Sequence, residues 1–231
     1  MRAQIIRRVV SEVVGTALLV GIGTGAVVGA ARLGGIPQWS LATIWFLAVL
    51  IPIALFIELS GAHLNPMVTL ALAVSRRIAW REVPDYLVGQ FAGAFLASGT
   101  VLLTLGNYAH LGSTVPAPAE VPQAFLLEFT FTAMLVASVF FLADRGVGRR
   151  RWRILLPPAV VGISTYLIGP LSGSSLNPAR TLAPAILSAT YTDLWVYLTA
   201  VPLGALVIAS TWKPGAVDRL DRGPGRREVT T

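Results

Sequence analysis

Long apolar runs separated by short polar segments make up most of the chain. Six of these runs are about 19 to 23 residues long, and at a helical rise of about 1.5 Å per residue each can cross a hydrocarbon core of about 30 Å. They cover residues 9–31, 41–59, 86–106, 121–143, 154–172 and 194–212. The runs lack the alternation of polar and apolar residues that the strands of transmembrane barrels show. The pattern therefore predicts an all-α membrane protein with six transmembrane helices.

Two further apolar segments, residues 66–75 and 178–189, are about half as long as a helix that spans the bilayer. Asn caps helix N-termini well, and Pro suits the first helical position because its missing N–H is not needed there. Non-helical backbone at membrane depth is tolerated only inside protein or beside a water-filled cavity, and paired broken helices indicate a permeation site. We therefore expect two re-entrant half-helices, which begin at the pairs Asn65-Pro66 and Asn177-Pro178.

The two halves of the chain repeat one another. Glu12 in the first span corresponds to Glu128 in the fourth, 116 residues later, and Asn65 corresponds to Asn177, 112 residues later. Each half supplies three spans and one half-helix, and because three is odd the second half must cross the membrane in the opposite sense. The half-helices then meet N-terminus to N-terminus near the midplane. We expect one channel domain over residues 1–231, an inverted repeat of residues 1–110 and 121–213, and a cytoplasmic tail at 214–231.

Composition and the placement of charge agree with a membrane location. The chain is 55% hydrophobic and only 13% charged, whereas a soluble domain averages about 25% charged residues and a disordered chain has low hydrophobicity. Most of the 18 basic residues fall on one side of the predicted topology, and the positive-inside rule makes that side cytoplasmic, with both termini. The net charge of +7 therefore indicates topology and lipid contact, and we expect no nucleic-acid partner. The basic residues on the predicted cytoplasmic side are Arg2, Arg7, Arg8, Arg76, Arg77, Arg81, Arg145, Arg149, Arg150, Arg151, Arg153, Lys213, Arg219, Arg222, Arg226 and Arg227.

The chain contains no cysteine and two histidines, His63 and His110. Disulfides, thiol chemistry and thiolate metal sites are therefore excluded, and neither histidine has a metal-ligand partner nearby in sequence. We expect no catalytic residue, no metal site and no cofactor.

The two Asn-Pro segments, SGAHLNPMVT at residues 60–69 and SLNPAR at residues 175–180, resemble the two boxes of the aquaporin, or major intrinsic protein, family. The resemblance extends over nearly the whole chain and includes the span count, the paired glutamates and the repeat. It implies an aquaporin-like channel in the plasma membrane, a homotetramer with one pore per subunit, and no enzyme activity. The filter pattern resembles most closely the nodulin-like intrinsic proteins of plants and their bacterial relatives.

The resemblance also assigns residues to the pore. Asn65 and Asn177 would orient the oxygen of a permeant molecule at the midplane, and each half-helix N-terminus adds about +0.5 of an elementary charge that repels cations. Counting from these two residues places four side chains in an outer selectivity filter: Trp45, Thr165, Ser174 and Arg180. The remaining box residues are Pro66, Met67, Pro178 and Ala179.

The filter residues predict which solutes pass. Water-selective members of the family typically carry Phe and His where this chain has Trp45 and Thr165, so we expect a wider and partly apolar opening. The expected solutes are water and small uncharged molecules: glycerol, urea and metalloid hydroxides such as arsenite. A water-selective channel is the alternative.

Two other classes of membrane protein remain open. The first is a coupled transporter, which needs an ionisable coupling group, and only Glu12, Glu58 and Glu128 qualify. The second is a non-conducting scaffold, in which two polar boxes directed at the midplane would have no function. We expect Glu12 and Glu128 to hold the re-entrant loops through buried hydrogen bonds. The sequence leaves the role of Glu58 and the effect of Met67 in the first box undecided.

Overall fold

The computed structural model describes residues 2–145 and 154–212, and these form helices, turns and loops without a strand. Two short 3-10 turns, Trp80–Glu82 and Ala109–Gly112, separate some of the helices. The α-helices are α1 (Arg2–Arg32), α2 (Gln38–Ser60), α3 (Pro66–Val74), α4 (Val83–Leu105), α5 (Val121–Arg145), α6 (Leu156–Ser172), α7 (Pro178–Leu187) and α8 (Leu194–Thr211).

Six of these helices correspond to the six predicted spans. Five are long and apolar enough to cross a membrane, and the sixth, α6, is a shorter apolar helix of 17 residues. The largest difference in bounds is at α1, which begins at Arg2 because arginine and the neighbouring residues favour helix and extend it beyond the apolar run. The predicted basic residues at 149–151, 153, 213, 219, 222, 226 and 227 and the predicted tail at 214–231 lie outside the described residues.

Close helix packing occurs at two equivalent glycines. A side-chain carbon on Gly93 of α4 would collide with the Val13 carbonyl on α1, and one on Gly204 of α8 would collide with the Phe129 carbonyl on α5. The missing side chains let each pair of backbones approach as small residues do in membranes. α1 accordingly packs along α4, and α5 along α8, while α2 packs against α6 between the two halves.

Gly21, Gly25 and Gly29 repeat every four residues on α1, a spacing that lets helix backbones approach closely in a bilayer, but these three glycines have little part in packing. Side chains on Gly21 and Gly25 would meet only ordinary van der Waals contacts at 3.6 and 3.8 Å, and one on Gly29 would meet nothing within 4 Å. Gly21 and Gly25 instead line a groove on the outer surface between α1 and α4. The four-residue repeat in α1 therefore does not mark its closest helix contact.

α3 and α7 are the two half-helices, and each begins where the sequence predicts. Asn65 and Asn177 are the N-caps, and their Oδ1 atoms accept hydrogen bonds from the backbone N–H of Met67 at 2.9 Å and of Ala179 at 3.0 Å. Proline occupies the first helical turn in both. The two N-termini face each other in the interior of the molecule, which confirms the inverted arrangement.

Candidate permeation site

The loop that precedes each half-helix has an unusual backbone. In the first loop Gly61, Ala62 and Leu64 have φ of 86°, 48° and 55°. In the second loop the corresponding residues, 173, 174 and 176, have φ of 77°, 47° and 54°. Residues other than glycine rarely adopt positive φ, so the surrounding structure must hold these loops in place.

Glu12 holds the first loop. Its Oε1 accepts hydrogen bonds from the Ser60 hydroxyl at 2.8 Å and the His63 backbone N–H at 3.0 Å. Its Oε2 accepts from the Leu64 backbone N–H at 2.8 Å and from the Gln90 side chain at 2.9 Å. The carboxylate is fully buried and all four donors lie around it, so the loop backbone is fixed to α1.

Glu128 holds the second loop in the same way. It accepts hydrogen bonds from the Ser172 hydroxyl at 2.8 Å and from the backbone N–H groups of Ser175 and Leu176 at 2.8 and 3.0 Å. The predicted structural role of both glutamates is therefore confirmed.

Two tyrosines, which the sequence analysis did not single out, complete this support. Tyr86 on α4 donates a hydrogen bond to the Ser60 carbonyl at 2.6 Å, and Tyr197 on α8 donates to the Ser172 carbonyl at 2.5 Å. The two tyrosines are 111 residues apart, close to the repeat interval of the Asn-Pro boxes. That interval is the signal that could have found them.

The two asparagines bridge the half-helices at the centre of the site. The Asn65 Nδ2 donates to the Leu176 carbonyl at 2.8 Å, and the Asn177 Nδ2 donates to the Leu64 carbonyl at 2.9 Å. A side-chain amide carries two N–H groups, so one remains on each asparagine after this bond. Each asparagine therefore caps its helix, ties the two loops together and keeps a donor for a further partner.

A cavity of about 290 Å³ lies along the junction of the two half-helices, and both asparagines are part of its wall. One end of the cavity, which is called the outer end after the orientation predicted from the sequence, is formed by Trp45, Ser174 and Arg180. The opposite end, called the inner end, is formed by Leu72, Arg77, Ile78 and Leu142. Most of the remaining wall is aliphatic and includes Leu19, Val49, Ile53, Val68, Leu135 and Val161. The wall thus combines a continuous apolar surface with a few polar groups at defined depths.

Arg180 is fixed at the outer end of the cavity. It is 3% exposed, and its NH1 and NH2 atoms donate to the carbonyls of Gly112 at 2.8 Å and Gly173 at 3.5 Å. The guanidinium carbon lies 4.7 Å from the centroid of the Trp45 ring. Nε has no hydrogen-bond partner among the described residues. A buried cation and an aromatic face therefore lie together at this end of the cavity.

The other two predicted filter residues are placed differently. Ser174 is part of the cavity wall, and its hydroxyl lies 2.8 Å from that of Ser164. Thr165 is 4% exposed, and its hydroxyl donates to the Val161 carbonyl at 2.9 Å. Among the described residues that line the cavity, Trp45, Ser174 and Arg180 occur together and Thr165 does not. The position of Thr165 in the filter therefore stays a prediction.

Met67 and Glu58 lie away from the described cavity wall. Met67 is buried in a cluster that α3 forms with α5 and α8, beside Phe140 and Val201. The Glu58 side chain is exposed, and Arg7 donates to the Glu58 carbonyl. Within residues 2–145 and 154–212, three or more His, Asp or Glu side chains nowhere form a group that could hold a metal ion.

Comparisons with known proteins agree with this architecture. A family profile described as "Major intrinsic protein" matches residues 1–212. Aquaporin NIP1-1 of Zea mays is 38% identical over 211 residues, which cover 90% of this chain and 73% of that protein. Nodulin-26 of Glycine max is 34% identical over 221 residues, which cover 94% of this chain and 80% of that protein.

A solved structure shows the same fold. The aquaglyceroporin from Plasmodium falciparum superposes with a TM-score of 0.77 at 26% sequence identity, over 94% of this chain and 98% of that one. The apolar helices, the family profile and these relatives together make the chain a multi-pass membrane protein, and it belongs to the major intrinsic protein family of channels.

Proposed function

We propose that the protein is a passive channel that conducts water and small uncharged solutes, namely glycerol, urea and metalloid hydroxides such as arsenite, and excludes ions and protons. The observation that carries this proposal is the composition of the cavity wall. Two asparagine amides at the midplane and one arginine at the outer end supply donors, and an aliphatic surface lies between and beyond them. Such a wall suits a molecule that has both hydroxyl oxygens and a carbon skeleton.

The same groups support the exclusion of ions. The N-termini of α3 and α7 direct their positive ends towards the middle of the cavity, and Arg180 adds a full positive charge at the outer end. A cation would lose part of its hydration shell there and be repelled by these positive charges. The free amide donors of the asparagines also favour one orientation of a permeant oxygen, which interrupts proton transfer along a water chain.

A coupled transporter fits these contacts less well. The carboxylates of Glu12 and Glu128 accept hydrogen bonds from the loops that they support, and Glu58 is exposed away from the described cavity wall. None of the three is therefore available as a coupling group within the pore. Flux should accordingly be independent of sodium, proton and voltage gradients.

A water-selective channel is the second candidate, and one observation favours it. The Trp45 ring stacks on the Arg180 guanidinium, and Thr165 is absent from the described wall, so the outer end of the cavity is closely packed. Relatives with both kinds of printed name occur, an aquaglyceroporin and several aquaporins. Measurements of glycerol and water flux distinguish the two candidates.

Stopped-flow light scattering of proteoliposomes distinguishes the solute channel, the water-selective channel and the coupled transporter. The expected result is rapid water flux together with glycerol, urea and arsenite flux well above that of empty liposomes, unaffected by ionophores that collapse ion gradients. Glycerol exclusion with intact water flux would establish the water-selective channel. Solute accumulation driven by an ion gradient would contradict the proposal of a passive channel.

The assembly and orientation form part of the same proposal. We infer a homotetramer with one pore per subunit in the plasma membrane, with both termini in the cytoplasm and one channel domain built from the inverted repeat of residues 1–110 and 121–213. The family supports the tetramer, and the distribution of basic residues in the sequence supports the orientation. Crosslinking of the purified protein and accessibility of engineered cysteines in intact cells test the two statements separately.

A further inference from the structure

The inner end of the cavity contains a polar group to which the family boxes assign no role. Arg77 follows α3 and is part of the cavity wall, at the end opposite Arg180. Its neighbours in that wall are the apolar side chains of Leu72, Ile78 and Leu142. The residue 112 positions later, which corresponds to Arg77 in the second half, is Ala189. The second half of the chain therefore has no arginine at the position that corresponds to Arg77.

The Arg77 side chain is held in one orientation. Its NH2 atom pairs with Asp144 Oδ1 at 2.7 Å, and the guanidinium carbon lies 4.1 Å from the centroid of the Phe140 ring. The other oxygen of Asp144 accepts a hydrogen bond from the Trp212 indole N–H at 2.9 Å. An arginine fixed on two sides in this way presents its remaining donors in a defined direction.

One of those donors is left without a partner. The Arg77 NH1 atom is buried, and it has no hydrogen-bond partner among the described residues. Buried polar groups are nearly always hydrogen-bonded, because an unpaired donor loses the free energy of its bonds to water. Because Arg77 is part of the cavity wall, a solute oxygen in the cavity is a candidate partner for this donor.

We propose that the inner end of the cavity is a second solute-binding site, at which Arg77 donates a hydrogen bond to a hydroxyl or carbonyl oxygen of a neutral polyol or amide. The ion pair with Asp144 leaves the cluster without net charge, so an anion gains little there. The apolar neighbours contact the carbon skeleton of the solute, which water lacks. This inference rests on the proposed conduction of such solutes, and it identifies Arg77 as a residue that discriminates them from water.

Three variants test the proposal in stopped-flow measurements of glycerol and water flux on the same vesicles. Arg77→Lys keeps the charge and the partner Asp144 but replaces the planar fork by a compact ammonium group. Arg77→Met combined with Asp144→Asn removes both charges together, so that no buried charge is left unpaired. Arg76→Lys is the matched control, because Arg76 is the exposed neighbour in the same turn and is not part of the described cavity wall.

The expected result is a fall of at least about threefold in the ratio of glycerol to water flux for both Arg77 variants, equivalent to about 0.6 kcal/mol. The ratio for Arg76→Lys should equal that of the wild type. A purely structural role would lower both fluxes together and leave the ratio unchanged, which overturns the proposal. Should the double variant fail to fold, Arg77→Lys alone decides the question.

The same measurement distinguishes this inference from the proposed function. A wild-type protein that excludes glycerol overturns both. A wild-type protein that conducts glycerol, with unchanged ratios in the Arg77 variants, overturns only the second binding site.

Discussion

The two halves of the molecule use the same framework to hold their re-entrant loops, and they differ in the side chains added to it. In each half a buried glutamate, a serine hydroxyl and a tyrosine hydroxyl fix the loop, and an asparagine caps the half-helix. The positions of these four residues differ between the halves by 111 to 116 residues. The framework is therefore a duplicated structural unit.

The differences concern polarity and charge. Arg180 in the second half corresponds to Val68 in the first, and Gln90 in the first half corresponds to Val201 in the second. The second half thus places Arg180 at one end of the cavity, while the first half gives its glutamate a fourth hydrogen-bond donor. The comparison shows that the glutamate, serine, tyrosine and asparagine of the framework occur twice, whereas Arg180 and Gln90 occur once.

Some pairs keep their contact while the residue type changes. The His63 Nδ1 lies 3.1 Å from the Thr69 hydroxyl, and the corresponding Ser175 hydroxyl contacts the Thr181 hydroxyl. The threonine on each half-helix is therefore paired with the loop in both halves. An imidazole and a hydroxyl can each make this contact, because both carry an atom that donates or accepts a hydrogen bond.

The largest expected effect follows from removing one glutamate of the framework. Glu12→Ala leaves four buried donors without an acceptor and Glu128→Ala leaves three, and each unpaired donor costs about 1–3 kcal/mol. Both variants should therefore lose at least about 3 kcal/mol of unfolding free energy, Glu12→Ala the more. Thermal unfolding of the purified protein in detergent measures this.

Glu58→Ala is the control for this prediction, because the side chain is exposed and its loss should stay within about 0.5 kcal/mol. Unfolding temperatures of the Glu12 and Glu128 variants equal to that of the wild type would show that the loops do not depend on the glutamates.

The second prediction concerns a variant in which residue 180 of the second half is changed to the residue type of the first half. Arg180→Val removes the positive charge at the outer end and installs the residue type found at the corresponding position, Val68. Neutral solute flux should persist, and proton leak should rise at least about tenfold, which requires only about 1.4 kcal/mol of lost barrier. A pH-sensitive dye inside proteoliposomes reports the leak.

Arg76→Val serves as the matched control, since Arg76 is exposed outside the described cavity wall. If Arg180→Val leaves both leak and solute flux at their wild-type levels, Arg180 does not form part of the filter.

The third prediction tests the width of the outer filter. Thr165→His combined with Trp45→Phe introduces the pair typical of water-selective relatives, so a constriction near the size of water should exclude glycerol and urea by sterics. Their flux should fall about tenfold or more while water flux changes by less than about threefold, which corresponds to a selective barrier of at least about 0.7 kcal/mol. Stopped-flow measurements at matched protein incorporation give both numbers.

This variant also tests the position of Thr165, which the structure places outside the described cavity wall. Glycerol exclusion by the wild type would favour the water-selective channel. Equal glycerol flux in wild type and variant would mean that the count along α2 or α6 assigns the wrong residue to the filter.

The sequence predicted the framework well because its signals are local or periodic. Apolar run length determines the spans, and Asn-Pro determines the start of each half-helix through the geometry of its first turn. The repeat of Glu12 at Glu128 then indicates that both glutamates serve the same purpose. These features depend on backbone hydrogen bonding, which the bilayer enforces strictly.

The parts that the sequence did not predict depend on side chains brought together from distant elements. Arg77 and Trp212 both contact Asp144 only because α3, α5 and α8 end at the same place, and no spacing in the chain indicates this. The rotation of a helix about its axis likewise decides whether Thr165 faces the cavity. Counting along the sequence fixes the level of Thr165 on α6 but leaves its direction to packing.

The last prediction concerns the two tyrosines, whose expected effect on stability is smaller than that of the glutamates, and it tests whether the halves are equivalent in energy as well as geometry. Tyr86→Phe and Tyr197→Phe each remove one hydrogen bond to a loop carbonyl, so each should cost about 1–2 kcal/mol of unfolding free energy. Because the two bonds lie in different halves and share no partner, the double variant should lose the sum within about 0.5 kcal/mol. Tyr166→Phe, at an exposed position, should change nothing measurable. A double variant whose loss differs clearly from the sum, in either direction, would show that the two loops are coupled across the asparagine bridge, and that the halves form one cooperative unit instead of two independent ones.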